Sequence, residues 1–259
     1  MYPYYSYLKI PTYGLFVLIG LFFVNVIALV LIKKGKDKDV LDFLLIECYV
    51  ILGAALGSKM LYLVTIINKI DVTKLSNLRY VLYLMNTGFV FYGGLIGAII
   101  SLFLVHYIHK ISVLIYINDM CFLFPLVHAF GRVGCFCSGC CFGKPYDGLF
   151  SVVYPENAIT DVPTGIPLFP VQIVEAALLL FIAILLFFLV SKQIIHNGFV
   201  WYLLIYSILR FVLEYFRYDS ERGMIGSFSL SQWISIFLFS ISILYLAVKK
   251  KENNPALHS

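Results

Sequence analysis

The densest group of reactive side chains lies in one segment, HAFGRVGCFCSGCCFGKP, from His128 to Pro145. It contains four of the protein's six cysteines, together with a histidine and an arginine. His128, Arg132 and Cys135 are spaced i, i+4 and i+7, so a helix through them would place all three on one face. The planar guanidinium of Arg132 is suited to hold a phosphate, because it can donate two hydrogen bonds at once. Room for a lipid headgroup or another helix is left at four glycines, Gly131, Gly134, Gly139 and Gly143.

The cysteines of this segment are Cys135, Cys137, Cys140 and Cys141. Zinc sites usually combine two separated Cys-x-x-Cys pairs, and only Cys137 and Cys140 have that spacing, so the pattern predicts no metal ion. Iron–sulfur spacings are not met either. A disulfide is more plausible outside the cytoplasm, and a thiol–disulfide oxidoreductase stays open as an alternative. For most of the four, the favoured interpretation is a small residue packed at a tight turn.

A second polar group lies in the apolar stretch IYSILRFVLEYFR, where Tyr206, Arg210 and Glu214 follow one another at i+4 steps and Arg217 comes one turn later. A charged group inside a membrane costs about 3 kcal/mol or more, so each one is a candidate functional residue. A purely structural ion pair between Arg210 and Glu214 is one interpretation. The favoured interpretation is an anion site in which Arg210 faces a lipid phosphate and Glu214 orients it. With Arg132, it would form a clamp on one phosphodiester.

Other polar residues in apolar stretches carry less information. Glu47 and Lys59 could pair or extend to the membrane surface, whereas Asp119 and Glu175 are stronger candidates for lining a cavity. The FYGGLIGA run favours a close helix contact through its glycines.

The composition indicates the elements that must hold these groups. Of the 259 residues, 61% are hydrophobic and 13% are charged, against roughly 25% charged in soluble domains. This is typical of an integral membrane protein. The net charge of +5 is spread over short clusters, which indicates topology signals rather than a nucleic-acid surface.

Seven apolar segments of about membrane-spanning length predict an all-α, polytopic protein with one transmembrane domain over residues 1–259. They do not alternate as barrel strands would. The predicted spans are approximately 12–32, 41–66, 88–108, 111–130, 170–190, 198–217 and 228–248. The long polar segment of about 140–169 is predicted to form a small extracytoplasmic cap between the fourth and fifth spans.

Basic residues predict the orientation. Nine lysines fall on one side of seven spans, including clusters after the first and last, and seven lysines and arginines fall on the other. We therefore expect the N-terminus outside and the C-terminus in the cytoplasm. The N-terminal segment lacks the basic region and cleavage site of a signal peptide, so we expect the first span to be retained.

Five motifs in this order resemble the prolipoprotein diacylglyceryl transferase family, whose members transfer the diacylglyceryl group of phosphatidylglycerol to a lipobox cysteine. The resemblance extends over nearly the whole chain. It is carried by TYGLFVLIG with Tyr13, FYGGLIGA with Gly93 and Gly94, GRVGCFCSGCCFG, PVQIVEA with Gln172 and Glu175, and the helix of Tyr206, Arg210 and Glu214.

This chain departs from the family pattern at positions where proton transfer is expected. Tyr92 and Phe169 stand in place of two motif histidines. In the signature, Cys135 and Ser138 replace asparagines and Cys140 replaces a glutamate. The resemblance therefore implies a divergent member whose acceptor could differ.

The resemblance implies a membrane transferase without a cofactor, located in the bacterial cytoplasmic membrane. Its expected partners are phosphatidylglycerol or a related phospholipid, a prelipoprotein lipobox peptide and the bilayer. The expected catalytic residues are Arg132, Arg210 and Glu214, with His128 or Tyr92 as the base. The expected substrate-binding residues are Tyr13, Gly93, Gly94, Gly131, Gly134, Cys135, Ser138, Cys140, Gly143, Gln172, Glu175 and Tyr206. A paralogue with another acceptor or lipid, a thiol oxidoreductase and a non-catalytic phospholipid-binding or transport protein are the alternatives.

Overall fold

The computed structural model describes residues 4–5, 10–35, 37–155, 162–218 and 223–252. The described residues form nine α-helices and three short antiparallel β-pairs. The helices are α1 (Thr12–Lys34), α2 (Val40–Thr65), α3 (Leu78–Asn86), α4 (Phe91–His109), α5 (Val113–Asp119), α6 (Leu123–Ser138), α7 (Val171–Ser191), α8 (Gly198–Leu213) and α9 (Leu230–Glu252). The strands are β1 (Tyr4–Tyr5), β2 (Ile10–Pro11), β3 (Val152–Val153), β4 (Pro167–Leu168), β5 (Met224–Ile225) and β6 (Phe228–Ser229).

The predicted all-α membrane architecture is confirmed. Six described helices, α1, α2, α4, α7, α8 and α9, are long and apolar enough to cross a membrane, and α5 with α6 makes a bent seventh candidate. Helices are the expected form because every backbone group in hydrocarbon needs a partner within its own segment. The observed helix ends differ from the predicted spans by at most four residues, apart from the fourth span.

The fourth span departs most from its predicted range of 111–130. It is two helices, α5 and α6, with a bend of 65° at the break. Pro125 explains why the helix restarts, because proline is tolerated in a first turn but disrupts a helix interior. The second part, α6, continues to Ser138, eight residues beyond the predicted end.

The segment between α6 and α7 contains no helix in its described part, residues 139–155 and 162–170, as predicted. It carries β3 and β4, in which Val152 is opposite Leu168. Its own small core consists of Tyr154, Val162 and Leu168. The sequence missed α3, a nine-residue helix that is too short for an apolar span and is capped by the Asn77 side chain.

The chain divides into two compact units. The first unit comprises the described residues within 1–30 and 117–259, and the second comprises those within 31–116. The prediction of one transmembrane domain stays a prediction.

In the second unit, α2 and α4 pack through glycines. A Cβ at Gly57 or Gly93 would collide with the carbonyl oxygen of the other residue, and Gly53 and Gly97 stand in the same relation. The two backbones therefore approach as closely as small residues allow, which confirms the close helix contact expected of the FYGGLIGA run.

Candidate functional site

Helices α6 and α7 of the first unit carry the central part of the site. Because α6 is continuous through Ser138, His128, Arg132 and Cys135 share one helical face, as their spacing predicted. Gln172 and Glu175 lie one turn apart at the start of α7, and each is only 1% exposed. The two helices pack on a small apolar core that contains Ala129, Ala176 and Leu179.

The carboxylate of Glu175 is the centre of a buried group of polar side chains. Its Oε2 atom lies 3.0 Å from Nε of Arg132 and 3.9 Å from Nη1 of Arg210. Its Oε1 atom accepts a hydrogen bond from the Tyr206 hydroxyl at 3.3 Å and lies 3.9 Å from Nε2 of His128. Two guanidiniums from different helices therefore converge on one oxygen atom. We call His128, Arg132, Glu175, Tyr206, Arg210 and Glu214 the polar cluster.

Helix α8 supplies the second arginine. Nη2 of Arg210 lies 2.6 Å from Oε2 of Glu214, the i+4 pair predicted from the sequence, and donates to the Ser231 hydroxyl at 3.2 Å. Arg217 was expected one turn further on the same helical face. That expectation was wrong, because α8 ends at Leu213, a 3-10 turn follows over Glu214–Phe216, and Arg217 has extended backbone angles.

Two nitrogens of the polar cluster are candidates for binding an anion. Nε of Arg132 and Nη1 of Arg210 are buried donors without an aligned hydrogen-bond acceptor in the part of the chain that the structure describes. Buried donors normally have an aligned partner, whereas these two nitrogens are only within ion-pair distance of Glu175, at 3.0 and 3.9 Å. A ligand oxygen would therefore compete with Glu175 for them. Gly131 is buried, and no described heavy atom lies within 4 Å of the position where a Cβ would be. Open space therefore lies next to Arg132.

The first turn of α1 also contacts α6. A Cβ at Gly134 would lie 3.2 Å from the Tyr13 Cα and from the Phe16 Cβ, so this glycine permits a close approach. The Tyr13 side chain is 48% exposed and close enough to Arg132 and Cys135 to interact electrostatically. The structure thus brings Tyr13 to the site, as expected.

The end of α6 folds back on itself and gathers cysteines. Gly139 takes a left-handed conformation with φ of 73°, and Cys141 follows with φ of 56°. The sulfurs of Cys135, Cys140 and Cys141 all lie within 4.8 Å of one another, and Cys137 is outside this group. We call these three residues the thiol cluster. All six cysteines lie in the described residues and are free thiols, so the disulfide that seemed more plausible from the sequence is not formed.

Two arginines interact electrostatically with the thiol cluster. Hydrogen bonds from Cys135 and Cys140, together with the charges of Arg217 and Arg132, lower the pKa of the Cys141 thiol. Arg217 is buried next to the cap, where its backbone pairs with Gly143.

The cap is tied to α7 by side-chain and backbone contacts. Nε2 of Gln172 donates to the Cys140 carbonyl at 2.8 Å and to the Tyr154 hydroxyl at 3.2 Å. Burial raises the pKa of Tyr154 to about 12, so its hydroxyl stays protonated. A Cβ at Gly143 would collide with the Phe169 carbonyl, which explains the glycine there. Ser138, the last residue of α6, is half-buried just before this turn.

Three of the remaining predicted residues, Tyr92, Gly93 and Gly94, lie in the first turn of α4 in the second unit. Gly93 packs against Gly57 there, and a Cβ at Gly94 would lie 3.3 Å from the Ala54 carbonyl oxygen. The roles expected of them, a base for Tyr92 and substrate binding for Gly93 and Gly94, stay predictions. Of the two cavity candidates, Glu175 lies in the polar cluster, whereas Asp119 is exposed at the end of α5.

Sequence reasoning missed three residues next to the site. Tyr202 stacks on Tyr206 with ring centroids 5.8 Å apart, and extending the i+4 series of α8 by one step towards the N-terminus would have found it. Ser231 lies in α9 and accepts a hydrogen bond from Arg210, and Tyr154 lies in the cap and accepts one from Gln172. No local sequence pattern indicates either contact.

Comparison with known proteins places these residues in a family. A family model described as prolipoprotein diacylglyceryl transferase matches residues 4–248. Phosphatidylglycerol–prolipoprotein diacylglyceryl transferase of Clostridium tetani is 31% identical over 252 residues, which cover 94% of both chains. Phosphatidylglycerol–prolipoprotein diacylglyceryl transferase 2 of Clostridium perfringens is 29% identical, and the match covers 94% of this chain and 92% of the relative. The enzyme of Bordetella avium is 28% identical, with 96% and 94% covered. The matched range includes every residue of the polar cluster.

Proposed function

The chain belongs to the prolipoprotein diacylglyceryl transferase family, and we propose that it transfers the diacylglyceryl group of phosphatidylglycerol to the lipobox cysteine of a prolipoprotein. It is a transferase of lipoprotein biosynthesis and a membrane protein with several transmembrane helices. The lipobox cysteine thiol is the acceptor that we assign to it.

One observation carries the assignment of the site. Arg132 and Arg210 come from different helices and approach the same Glu175 oxygen, at 3.0 and 3.9 Å. Open space lies at Gly131, the chain neighbour of Arg132, and we place the phosphodiester there, with its oxygen contacting the two guanidiniums. Arginine suits this task because its fork matches phosphate geometry.

The reaction breaks the bond between the diacylglyceryl carbon and the phosphate oxygen, and forms a bond from that carbon to the acceptor sulfur. Glycerol phosphate leaves with the electron pair, and the thiol loses its proton. Arg132 and Arg210 stabilise the charge that develops on the leaving phosphate. Glu214 holds Nη2 of Arg210 at 2.6 Å, so the guanidinium is positioned before the substrate arrives.

Glu175 has two effects on this step. Without substrate, Glu175 and Glu214 balance the charges of Arg132 and Arg210, which makes the buried cluster tolerable in a membrane protein. With substrate, the phosphate competes with Glu175 for the two guanidiniums. His128, 3.9 Å from Glu175, is the histidine that we assign to accept the acceptor proton, with Tyr92 as the second candidate.

We assign the N-terminus to the outside of the cytoplasmic membrane and the C-terminus to the cytoplasm. Lys33 and Lys34 end α1, and Lys249, Lys250 and Lys251 lie in the last turn of α9. Paired fusions of a cytoplasmic fluorescent reporter and a periplasmic phosphatase at the C-terminus test this. Phosphatase activity without fluorescence would reverse the orientation.

The enzymatic test uses the purified protein with phosphatidylglycerol labelled in both its acyl chains and its headgroup, and a lipobox peptide. We expect labelled glycerol phosphate and a diacylglyceryl peptide in equal amounts. Arg210→Ala should abolish both products, whereas Arg79→Ala, at an exposed arginine of α3, should leave them unchanged. Bound phospholipid without any glycerol phosphate release would instead indicate a non-catalytic lipid-binding protein. Peptide oxidation without lipid transfer would indicate a thiol oxidoreductase.

A further inference from the structure

The thiol cluster has the composition and geometry of a metal site. Three sulfurs within 4.8 Å of one another can reach one ion with small adjustments of side-chain angles, because Zn–S bonds are about 2.3 Å long. The sequence spacing argued against a metal ion because it contains only one Cys-x-x-Cys pair. In the structure, Cys140 and Cys141 lie beyond the end of α6, and their sulfurs nevertheless lie close to that of Cys135.

The backbone is built to bring the sulfurs together. Gly139 turns the chain back at the helix end, and the Cys140 N–H donates to the Cys135 carbonyl at 3.1 Å. Cys141 then adopts φ of 56°, which is unfavourable for a residue with a side chain. Non-glycine residues in this region persist where the surrounding structure enforces them, commonly at functional sites. Gln172 holds the Cys140 carbonyl from α7, at 2.8 Å.

From these observations, we propose that Cys135, Cys140 and Cys141 bind one zinc ion, whose fourth position takes the acceptor cysteine thiol. Three protein ligands with one open position are typical of catalytic zinc sites, whereas structural sites have four. Thiolates are soft ligands that select zinc or copper(I) over magnesium or calcium. Zinc with three thiolates has a net charge of −1, and Arg132 and Arg217 interact electrostatically with this cluster.

The open position explains how the acceptor could be activated. The acceptor role rests on the proposed function; the zinc site itself does not. A thiol that coordinates zinc loses its proton, which passes to His128 or to solvent. The resulting zinc-bound thiolate attacks the diacylglyceryl carbon, and the carbon–oxygen bond to phosphate breaks. The product thioether is neutral and binds zinc less tightly than a thiolate, so it leaves. Arg132 lies 3.0 Å from Glu175 and interacts electrostatically with Cys135, so one guanidinium links the polar cluster to the thiol cluster.

Metal binding is tested on the full-length protein, purified in detergent with a phosphine reductant and freed of metal by chelation. Zinc titration should give one ion per chain, and X-ray absorption should show three sulfur ligands. Cys135→Ser, Cys140→Ser and Cys141→Ser should each lower the zinc affinity at least tenfold. Cys137→Ser, in the same turn, and Cys48→Ser, at an exposed position, should bind zinc like the original protein.

The outcomes against the zinc site are specific. Equal zinc binding in the Cys141→Ser protein would overturn it, as would copper(I) binding without zinc binding. Each variant is compared only as a monodisperse protein in size-exclusion chromatography. If one of the three serine variants is not monodisperse, alkylation of the folded original protein before titration replaces it, and binding unaffected by alkylation overturns the site.

The acceptor role has its own readout. In the cobalt(II)-substituted protein, a lipobox peptide should change the thiolate-to-cobalt absorption band, and the same peptide with serine in place of cysteine should not. A spectrum that ignores the cysteine peptide would refute the acceptor role even if zinc binds. Glycerol phosphate release that continues undiminished in metal-free protein would do the same. If no release occurs under any condition, the proposed transferase function fails, and titration and X-ray absorption still decide the zinc site.

Discussion

Buried cations occur in both compact units, but they find their partners in different ways. In the second unit, the Lys59 ammonium donates to the Thr87 carbonyl at 2.6 Å and lies 4.9 Å from the ring centres of Tyr62 and Phe89. In the first unit, Arg132 and Arg210 face a single oxygen of Glu175 and keep buried donors without aligned acceptors among the described residues. The Lys59 ammonium is satisfied by its own unit, whereas the two guanidiniums share one carboxylate, and we propose that they receive an anion.

This contrast matters because burial alone would have ranked these cations equally. Lys59 is 7% exposed and Arg210 is 9% exposed. The difference lies in the geometry of their partners: backbone carbonyls and aromatic rings for the lysine, a shared carboxylate for the arginines. A cation with a complete set of its own partners stabilises the fold. For the two arginines that converge on Glu175, we propose instead that a ligand anion replaces the shared carboxylate.

Replacing the shared carboxylate should have the largest effect. Glu175→Gln leaves two buried guanidiniums with the single carboxylate of Glu214, and an uncompensated buried charge costs about 3–5 kcal/mol. We expect a correspondingly lower free energy of unfolding in neutral detergent, measured by chemical denaturation. Added phosphatidylglycerol should recover more stability in the variant than in the original protein, because its phosphate replaces the lost charge.

Glu252→Gln, at an exposed position at the end of α9, is the matched control and should change neither quantity. Equal stability of Glu175→Gln and the original protein in neutral detergent would contradict the neutralising role of Glu175.

Replacing one arginine of the clamp should have the next largest effect. Arg132→Lys keeps the charge but loses the planar fork, and losing one donor that stabilises a transition state costs about 10²–10³ in rate. We expect a loss of this size in kcat/KM for diacylglyceryl transfer, with little loss of stability. Arg79→Lys, on the exposed face of α3, should retain full activity. Full activity of the Arg132→Lys protein would show that charge without bidentate geometry is sufficient.

The cation of the second unit should respond in the opposite way. Lys59→Met leaves the Thr87 and Gly88 carbonyls without their donor, which costs roughly 1 kcal/mol of stability. Thermal unfolding should detect this loss, and Lys69→Met, at an exposed position, should not show it. Phospholipid affinity should be unchanged in both variants. A lower affinity for phosphatidylglycerol in Lys59→Met would remove the distinction between the two kinds of cation.

The same contrast shows what local sequence patterns can predict. Tyr206, Arg210 and Glu214 were predictable because a single helix fixes their i+4 spacing, and apolar run lengths predicted the spans. The convergence of Arg132 and Arg210 on Glu175 depends on the packing of three helices, so the sequence indicated the residues but not their shared oxygen.

Local geometry at helix ends was less predictable. The thiol cluster depends on left-handed angles at Gly139 and Cys141, and the spacing of the cysteines does not encode that turn. Arg217 was misplaced for the same reason, because the 3-10 end of α8 breaks the helical periodicity on which its prediction relied. The break between α5 and α6 likewise interrupted a run that looked continuous in hydropathy.

The smallest expected effect comes from a substitution in the cap, and it tests whether the cap only supports the active site or also contacts the substrate. Tyr154→Phe removes the hydroxyl that accepts from Gln172 at 3.2 Å, and a typical hydrogen bond contributes about 1 kcal/mol to stability. Because burial raises the pKa of Tyr154 to about 12, no ionised state contributes near neutral pH, and the effect should not vary with pH between about 6 and 9. Gln172 still donates to the Cys140 carbonyl, so the turn that carries the thiol cluster should persist.

Thermal unfolding measures the stability of the Tyr154→Phe protein and the transfer assay measures its activity, with Tyr83→Phe at an exposed position as the control. A loss of activity beyond about tenfold at unchanged stability would mean that Tyr154 contacts the substrate, and the cap would then belong to the active site rather than to its support.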